Sequence, residues 1–370
     1  MNSSAPSPMN QALELATQAL FLSNPNPRVG CVLTAPNGEV IGQGFTQQAG
    51  GPHAEVMALR DAASRGCDTR NATAYVTLEP CSHHGRTGPC CDALVQAGVS
   101  KVVASLGDPN PLVAGHGFER LRAAGVEVVV GPGAEASREL NIGFFSRMIR
   151  GTPWVRLKMA ASLDGTTALN NGTSQWITSA AARADGHAWR ARACALLTGI
   201  GTVLDDNPRL DVRDVPTPRQ PHAVVVDSRL ETPPDANILI AGRACYIYAA
   251  GQNDLKKETA LADRGATVVH LPNAHGKVDL RAMLQDLGRR GINELHVEAG
   301  HKLNGSLVRE GLVDEILLYV APRLLGPGRG IADFGPLTSL ADGLALEFKS
   351  VDPVDKDLRI VARVQGRDRF

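Results

Sequence analysis

A chain of 370 residues is too long for one ordinary domain and suits two or three. Its 38 basic and 38 acidic side chains cancel, so no sequence-wide positive field exists to hold nucleic acid, and small substrates are favoured. Seven cysteines without disulfide-framework spacing fit a reducing compartment, and no apolar run is long enough to cross a bilayer. Residues 1–8 lack the basic start and apolar core of a signal peptide. A soluble, cytoplasmic protein with no nucleic-acid or membrane partner is expected.

In chain order, Ser7-Pro8 reads as the N-cap and first residue of a helix to about Leu22, with Leu13, Ala16 and Leu20 on one face. The bend Asn24-Pro25-Asn26-Pro27 ends it. Strands at 29–34 and 40–45 pair through a Pro36-Asn37-Gly38 hairpin turn. His53 opens a helix to about Ser64, and a strand at 73–78 delivers Glu79-Pro80-Cys81 at its carboxyl end. Cys90 starts the next helix, to about Ala97. A strand at 101–105, a helix at 115–124, a strand at 126–130 and one helix at 134–148 complete a layered α/β pattern. Arg150-Gly151-Thr152-Pro153 reads as a boundary, which divides the chain into domains at 1–150 and 151–370.

The second part opens with a strand at 154–162 that turns at Asp164-Gly165. Ile177-Thr178-Ser179 leads a helix to about Arg192. Strands follow at 195–199, 223–227, 245–249, 267–270, 294–298 and 315–321, with helices at 280–290 and 303–310 between them. The chain closes with two strands, at 344–350 and 357–364.

The chemistry gathers at His53-Ala54-Glu55, Glu79-Pro80-Cys81 and Cys90. One imidazole and two thiolates are three of the four ligands of a tetrahedral zinc, with the fourth position left for water as in catalytic sites. Zinc lowers the pKa of such a water, and the carboxylate of Glu55 can carry its proton. His53 and Cys90 both stand at helix N-termini, where the helix dipole favours thiolate. The order H-x-E then P-C-x-x-C is that of zinc-dependent nucleobase deaminases. Here residues 82–89 replace the usual two between the cysteines, and Cys91 is a competing thiol.

The expanded loop P-C-S-H-H-x-G-R-T-x-P-C resembles the pyrimidine deaminase half of the bifunctional riboflavin-biosynthesis deaminase and reductase. That resemblance implies His53, Cys81 and Cys90 as zinc ligands, Glu55 as the proton shuttle and Cys91 as a bystander. It makes Asn26 a contact to the sugar or the pyrimidine, with a structural Asx turn as the alternative. His83 and His84 are weaker candidates for the mouth of the pocket.

In the second part, Gly199-Ile200-Gly201-Thr202-Val203-Leu204 begins like a dinucleotide fingerprint but lacks the third glycine. The turn from Glu298 to Asn304, at a strand end that opens a helix, is better placed to meet a phosphate. The segments K-x-A-x-S-L-D-G, S-Q-W-I-T-S, T-V-L-x-D-x-P-x-L-x-x-R, V-D-S and V-E-x-G-x-x-L-N resemble the reductase half of the same family. The resemblance implies a three-layer cytidine-deaminase-like α/β domain followed by a dihydrofolate-reductase-like α/β domain. It implies NADPH contacts at Ala160, Trp176, Thr202, Asp206, Ser228, Gly300, His301, Lys302, Leu303, Asn304, Gly305 and Ser306. Substrate contacts follow at Ser174, Arg190, Leu210, Arg213 and Glu298. Arg190 and Arg213 are fork-shaped donors suited to the sugar phosphate, whereas Lys158 has no assigned role and Ala299 stands where a second glycine is common.

The reaction implied is zinc-dependent loss of the 2-amino group from a phosphoribosylated diaminopyrimidinone. NADPH-dependent reduction of the ribosyl group to ribityl follows, in a protein that is a homodimer. Three alternatives remain open: a zinc deaminase of another base, a zinc module with four protein ligands, and a deaminase fused to a non-catalytic reductase-like domain.

Overall fold

Small residues set the packing of the N-terminal half. In the computed structural model, which describes residues 6–82, 88–111, 113–251 and 254–370, the Ser7 hydroxyl accepts the Asn10 N–H and Pro8 begins α1 (Pro8–Gln18). This helix is a turn shorter than its apolar pattern suggests, and it buries Met9, Ala12 and Ala16 rather than Leu13 and Leu20. The reason is proximity. A Cβ on Gly30 would stand 1.9 Å from the Ala12 carbonyl oxygen, so only an alanine stripe fits against the sheet.

The sheet of this half comprises β1 (Gly30–Thr34), β2 (Val40–Phe45), β3 (Thr73–Val76), β4 (Lys101–Ala104) and β5 (Glu127–Val130), in the order β2-β1-β3-β4-β5. β1 is antiparallel to both neighbours, whereas β3, β4 and β5 are parallel. Alternate residues of β1 enter different cores. Val32 packs with Met9 and Ala12 of α1, while Cys31 and Leu33 pack with Ala54, Ala58 and Ala62 of α2 (Ala54–Ser64), which gives three layers. The remaining helices are α3 (Cys90–Gln96), α4 (His116–Ala123), α5 (Ala134–Leu140) and α6 (Ile142–Arg150). The expected single helix at 134–148 is thus two. Asn141 breaks it because its side chain serves the backbone of Arg28, accepting from the N–H at 2.7 Å and donating to the carbonyl at 2.9 Å. His83 and His84 lie outside the described residues.

The chain divides into two compact units, Met1–Arg150 and Gly151–Phe370. The second contains β6 (Trp154–Ser162), β7 (Ala168–Leu169), α7 (Ala180–Arg192), β8 (Ala195–Gly199), α8 (Ile200–Asp206), β9 (His222–Val226), β10 (Cys245–Ala249), α9 (Leu255–Ala262), β11 (Ala266–His270), α10 (Leu280–Arg289), β12 (Glu294–Val297), α11 (His301–Arg309), β13 (Glu315–Ala321), β14 (Gly328–Arg329), β15 (Leu346–Val354) and β16 (Asp357–Val364). A nine-stranded sheet runs β11-β10-β9-β8-β12-β6-β13-β16-β15, parallel through β13 and antiparallel at β16 and β15. β7 and β14 form a separate ribbon. Helix α8 occupies most of the stretch that begins like a dinucleotide fingerprint, and α9 buries only Leu261, too little to mark it by periodicity.

Beneath the centre of this sheet lies a buried ionic network. Arg156 on β6 reaches Glu315 on β13 at 2.6 Å and Glu294 on β12 at 3.0 Å. Arg192 shares the same Glu294 oxygen, Arg363 takes the other oxygen of Glu315, and the Arg156 guanidinium stacks 4.5 Å from the Trp189 ring. At the far edge, Leu346, Phe348 and Val351 of β15 and Leu358 of β16 leave apolar surface exposed.

Candidate functional site

His53 is the N-cap of α2 and makes no capping bond, so its ring is free to face the strand end that carries Cys81. Cys90 is the first residue of α3. The His53 Nδ1 lies 3.3 Å from Cys90 Sγ and 3.6 Å from Cys81 Sγ, and the three donor atoms all fall within 4.8 Å of one another. Those separations are close to the edges of a tetrahedron built on zinc bonds of about 2.0–2.3 Å, and among the described residues no fourth ligand joins the group. The donor set therefore fits zinc with one position open.

The charges are poised for a cation. Hydrogen bonding from Cys90 pulls the Cys81 thiol down to about 4, with His53 assisting against burial, and Cys90, which keeps the shared proton, is pushed up. Glu55, in the first turn of α2, is 3% exposed, and burial together with the Cys81 charge pushes its carboxyl up to about 7. A carboxyl near neutrality can both take and return a proton. Cys91 is different. Its sulfur packs in the core and lies outside the donor group, and burial pushes its thiol up to about 11.

One residue of this unit escapes the sequence pattern, and another does something the pattern does not show. Asp108, in the loop after β4, is near enough for its charge to act on His53 and Cys81, and burial pushes its carboxyl up to about 7. A carboxylate-proline-asparagine turn at the end of a parallel strand beside the ligand-bearing one is the signal that could find it. Glu79 accepts four backbone N–H groups, from Asp108, Gly115, Gly117 and Phe118. Asn26 is half-buried in its bend, where its backbone N–H, not its side chain, closes the turn onto the Ser23 carbonyl.

The second unit holds a cleft of about 840 Å³ at the carboxyl ends of β8, β9 and β12. The starts of α8 and α11 and the ribbon of β7 and β14 form its walls. Ala160, Thr202, Asp206, Gly300, His301, Lys302, Leu303 and Asn304 line it, as do Ser174, Glu298 and Lys158. Glu298 is the charged centre. Burial would raise its carboxyl, but Arg190, at 2.5 and 2.8 Å, and Lys158, at 3.8 Å, hold it well below the usual carboxylate range.

The other expected contacts sit off the lining. Arg190 reaches it only through Glu298 and also donates to the Asp211 carbonyl. Arg213 pairs with Asp211 at 2.7 Å and keeps half its side chain exposed. Leu210 is core, held at φ +44°. Trp176 is 62% exposed under the Arg183 guanidinium. The Ser228 hydroxyl accepts the Val278 N–H. Gly305 permits a close approach, since a Cβ there would stand 1.8 Å from the Asp333 oxygen, and Ser306 donates within its own helix to Lys302. Thr167, Ala168, Arg329 and Ile331, which no motif marks, complete the wall.

The cleft suits a dinucleotide. Gly201 and Gly300 leave open space where side chains would stand, and Gly300 caps α11 with no side chain, so the first N–H groups of α11 are available to a phosphate. Among the described residues, the buried Asn304 Oδ1 in the lining has no partner. Ala299 lines the cleft and also packs on the core, so its methyl does not close the approach.

Comparison with known proteins covers both units. The family model for the cytidine and deoxycytidylate deaminase zinc-binding region matches residues 3–106, and the one for the RibD C-terminal domain matches 153–360. Riboflavin biosynthesis protein RibD of Escherichia coli is 45% identical over 365 residues, which covers 95% of this chain and 96% of that one. The Haemophilus influenzae protein of the same name is 40% identical, with 97% of each covered. Among solved structures, Acinetobacter baumannii RibD aligns with a TM-score of 0.88 at 40% identity over 97% of this chain and 98% of that one. A Thermotoga maritima protein described as a diaminohydroxyphosphoribosylaminopyrimidine deaminase and 5-amino-6-(5-phosphoribosylamino)uracil reductase aligns at 0.85 with 31% identity, covering 96% and 97%.

Proposed function

We infer the chemistry from one premise: the chain belongs to the RibD family, the bifunctional deaminases and reductases of riboflavin biosynthesis. Its fold joins a cytidine-deaminase-like unit to a dihydrofolate-reductase-like one, and it works with zinc and NADPH on a small-molecule substrate. The first unit, residues 1–150, is the deaminase, and its substrate is the diaminohydroxyphosphoribosylaminopyrimidine named for the Thermotoga relative. His53, Cys81 and Cys90 hold the zinc, which when bound activates water for attack on the amino-bearing ring carbon. Glu55 accepts a proton at its carboxylate and passes it to the departing nitrogen, which leaves as ammonia. Asn26 meets the sugar or the ring.

The second unit, residues 151–370, reduces the resulting 5-amino-6-(5-phosphoribosylamino)uracil. Bound NADPH would supply a hydride to the first carbon of the ribosyl group, whose bond to the ring oxygen breaks while that oxygen takes a proton from solvent, leaving ribityl. The start of α11 takes the pyrophosphate, with Ala160, Thr202, Asp206 and Asn304 around the rest of the cofactor, and Trp176, Ser228, Gly305 and Ser306 behind these. Ser174 and Glu298 hold the sugar, while Arg190, Leu210 and Arg213 shape the place of its phosphate. The protein acts as a cytoplasmic homodimer, for which the exposed apolar face of β15 and β16 is the available support.

The observation that carries this reading is the nitrogen-sulfur-sulfur donor group beside a buried carboxyl poised near neutrality. Incubation with the pyrimidine, zinc and NADPH, following ammonia and NADPH together, tests it. Ammonia should appear first, and NADPH should be consumed only after deamination. Ammonia without NADPH consumption would leave the second unit non-catalytic, and no ammonia would point to a different base.

A further inference from the structure

We propose that Glu79 is a positioning residue for the deamination: it clamps Asp108 and the start of α4 against the turn that carries Cys81 and so fixes how these backbone segments lie against the metal-ligand turn. This rests on reading the first unit as the deaminase. Glu79 is 4% exposed, and both carboxylate oxygens are committed to backbone N–H groups. One takes Asp108 at 3.1 Å and Gly115 at 2.9 Å; the other takes Gly117 at 2.9 Å and Phe118 at 3.3 Å. The last three donors are the opening amides of α4, whose own N-cap, Gly115, has no side chain to offer. A serine or aspartate at that cap would satisfy them locally. Instead the cap comes from a turn two residues before a metal ligand.

Sterics tighten the same joint. A Cβ on Gly117 would stand 2.1 Å from the Pro80 carbonyl oxygen and 3.0 Å from Glu79 itself, so loop and turn are pressed together. Asp108 is oriented from within the loop, where its carboxylate accepts the Asn110 N–H at 2.8 Å. Glu79 touches no reacting atom and works through the backbone it holds beside the Cys81 turn, Asp108 included.

The test uses the full-length, zinc-loaded protein with Glu79→Gln, Asp108→Asn and the double variant. Zinc content, ammonia kinetics and NADPH oxidation on already deaminated substrate are measured for each. One amide oxygen can serve only half of the donors. Glu79→Gln should keep its zinc and its reductase rate while KM for the diaminopyrimidine rises about tenfold, with a smaller change in kcat. The double variant should be no worse than the worse single one, because both act through one contact. Loss of zinc, an unchanged KM with only a lower melting temperature, or effects that multiply in the double variant would each overturn the role. Should Glu79→Gln fail to fold, Gly117→Ala strains the joint from the other side, and an unchanged KM there overturns it equally. A wild-type protein that releases no ammonia refutes the deaminase reading instead.

Discussion

Replacing Glu55 by glutamine probes the metal centre through stability as well as turnover. In metal-free protein the Glu55 carboxyl rises from an ordinary 4.5 to about 7, so the folded state holds its proton more tightly than the unfolded chain does. The stability this gives is complete below the unfolded value and is lost as pH climbs through the folded one. Across that window the loss is roughly 3 kcal/mol, at 1.36 kcal/mol for each tenfold change. Glutamine does not titrate, so the variant should keep its stability where the wild type weakens. Zinc, a nearby cation, should lower the carboxyl and flatten the wild-type curve. Trp154, Trp176 and Trp189 all lie in the second unit, so fluorescence does not report this event. Amide hydrogen exchange at β1 and β3, in chelator-treated protein from pH 5 to about 8, does. With zinc restored, ammonia release should fall by a factor on the order of 10²–10⁴. Parallel stability curves for variant and wild type would refute the raised carboxyl, and ammonia at the wild-type rate would refute the proton shuttle.

Cys90→Ser should release zinc, whereas Cys91→Ser should retain it and cost roughly 1–3 kcal/mol by burying a hydroxyl in an apolar core; metal analysis and a melting curve separate them, and the reverse outcome would shift the ligand by one. Arg213→Ala should raise KM for the phosphoribosyl substrate and leave KM for NADPH unchanged, and equal losses would remove it from the phosphate. Gly305→Ala drives a methyl onto the Asp333 carbonyl, whose residue also donates to the His301 oxygen, so NADPH affinity should drop along with the melting temperature. Cofactor titration that shows wild-type affinity would mean this wall of the cleft yields freely.

Local chemistry was readable and long-range partnership was not. Ser7 and Ser179 start helices because their hydroxyls cap amides three residues on, a rule contained in a few adjacent letters. His53, Glu55, Cys81 and Cys90 were legible because strand ends and helix starts bring them together at short spacing. Asn141 splits a helix through a partner 113 residues away, and no window on 134–148 contains that information. Helix α1 looked leucine-faced because periodicity weighs hydrophobicity, whereas Gly30 selects for smallness. One wall of the second unit's cleft comes from two-residue strands that lie 160 positions apart in sequence, below any periodic signal. Glu79 read as part of a metal motif, yet its oxygens serve a helix that begins 37 residues later.

The charged cluster under the second sheet has a consequence for how its strands find their places. Arg156, Glu294, Glu315 and Arg363 come from four neighbouring strands, and Arg192 comes from the helix laid across them. Sliding any one strand by a single residue would turn its ion toward the opposite face and strand the partners in oil, a penalty of several kcal/mol. Misthreaded arrangements are thereby priced out, and the correct alignment is the one in which every ion meets its mate.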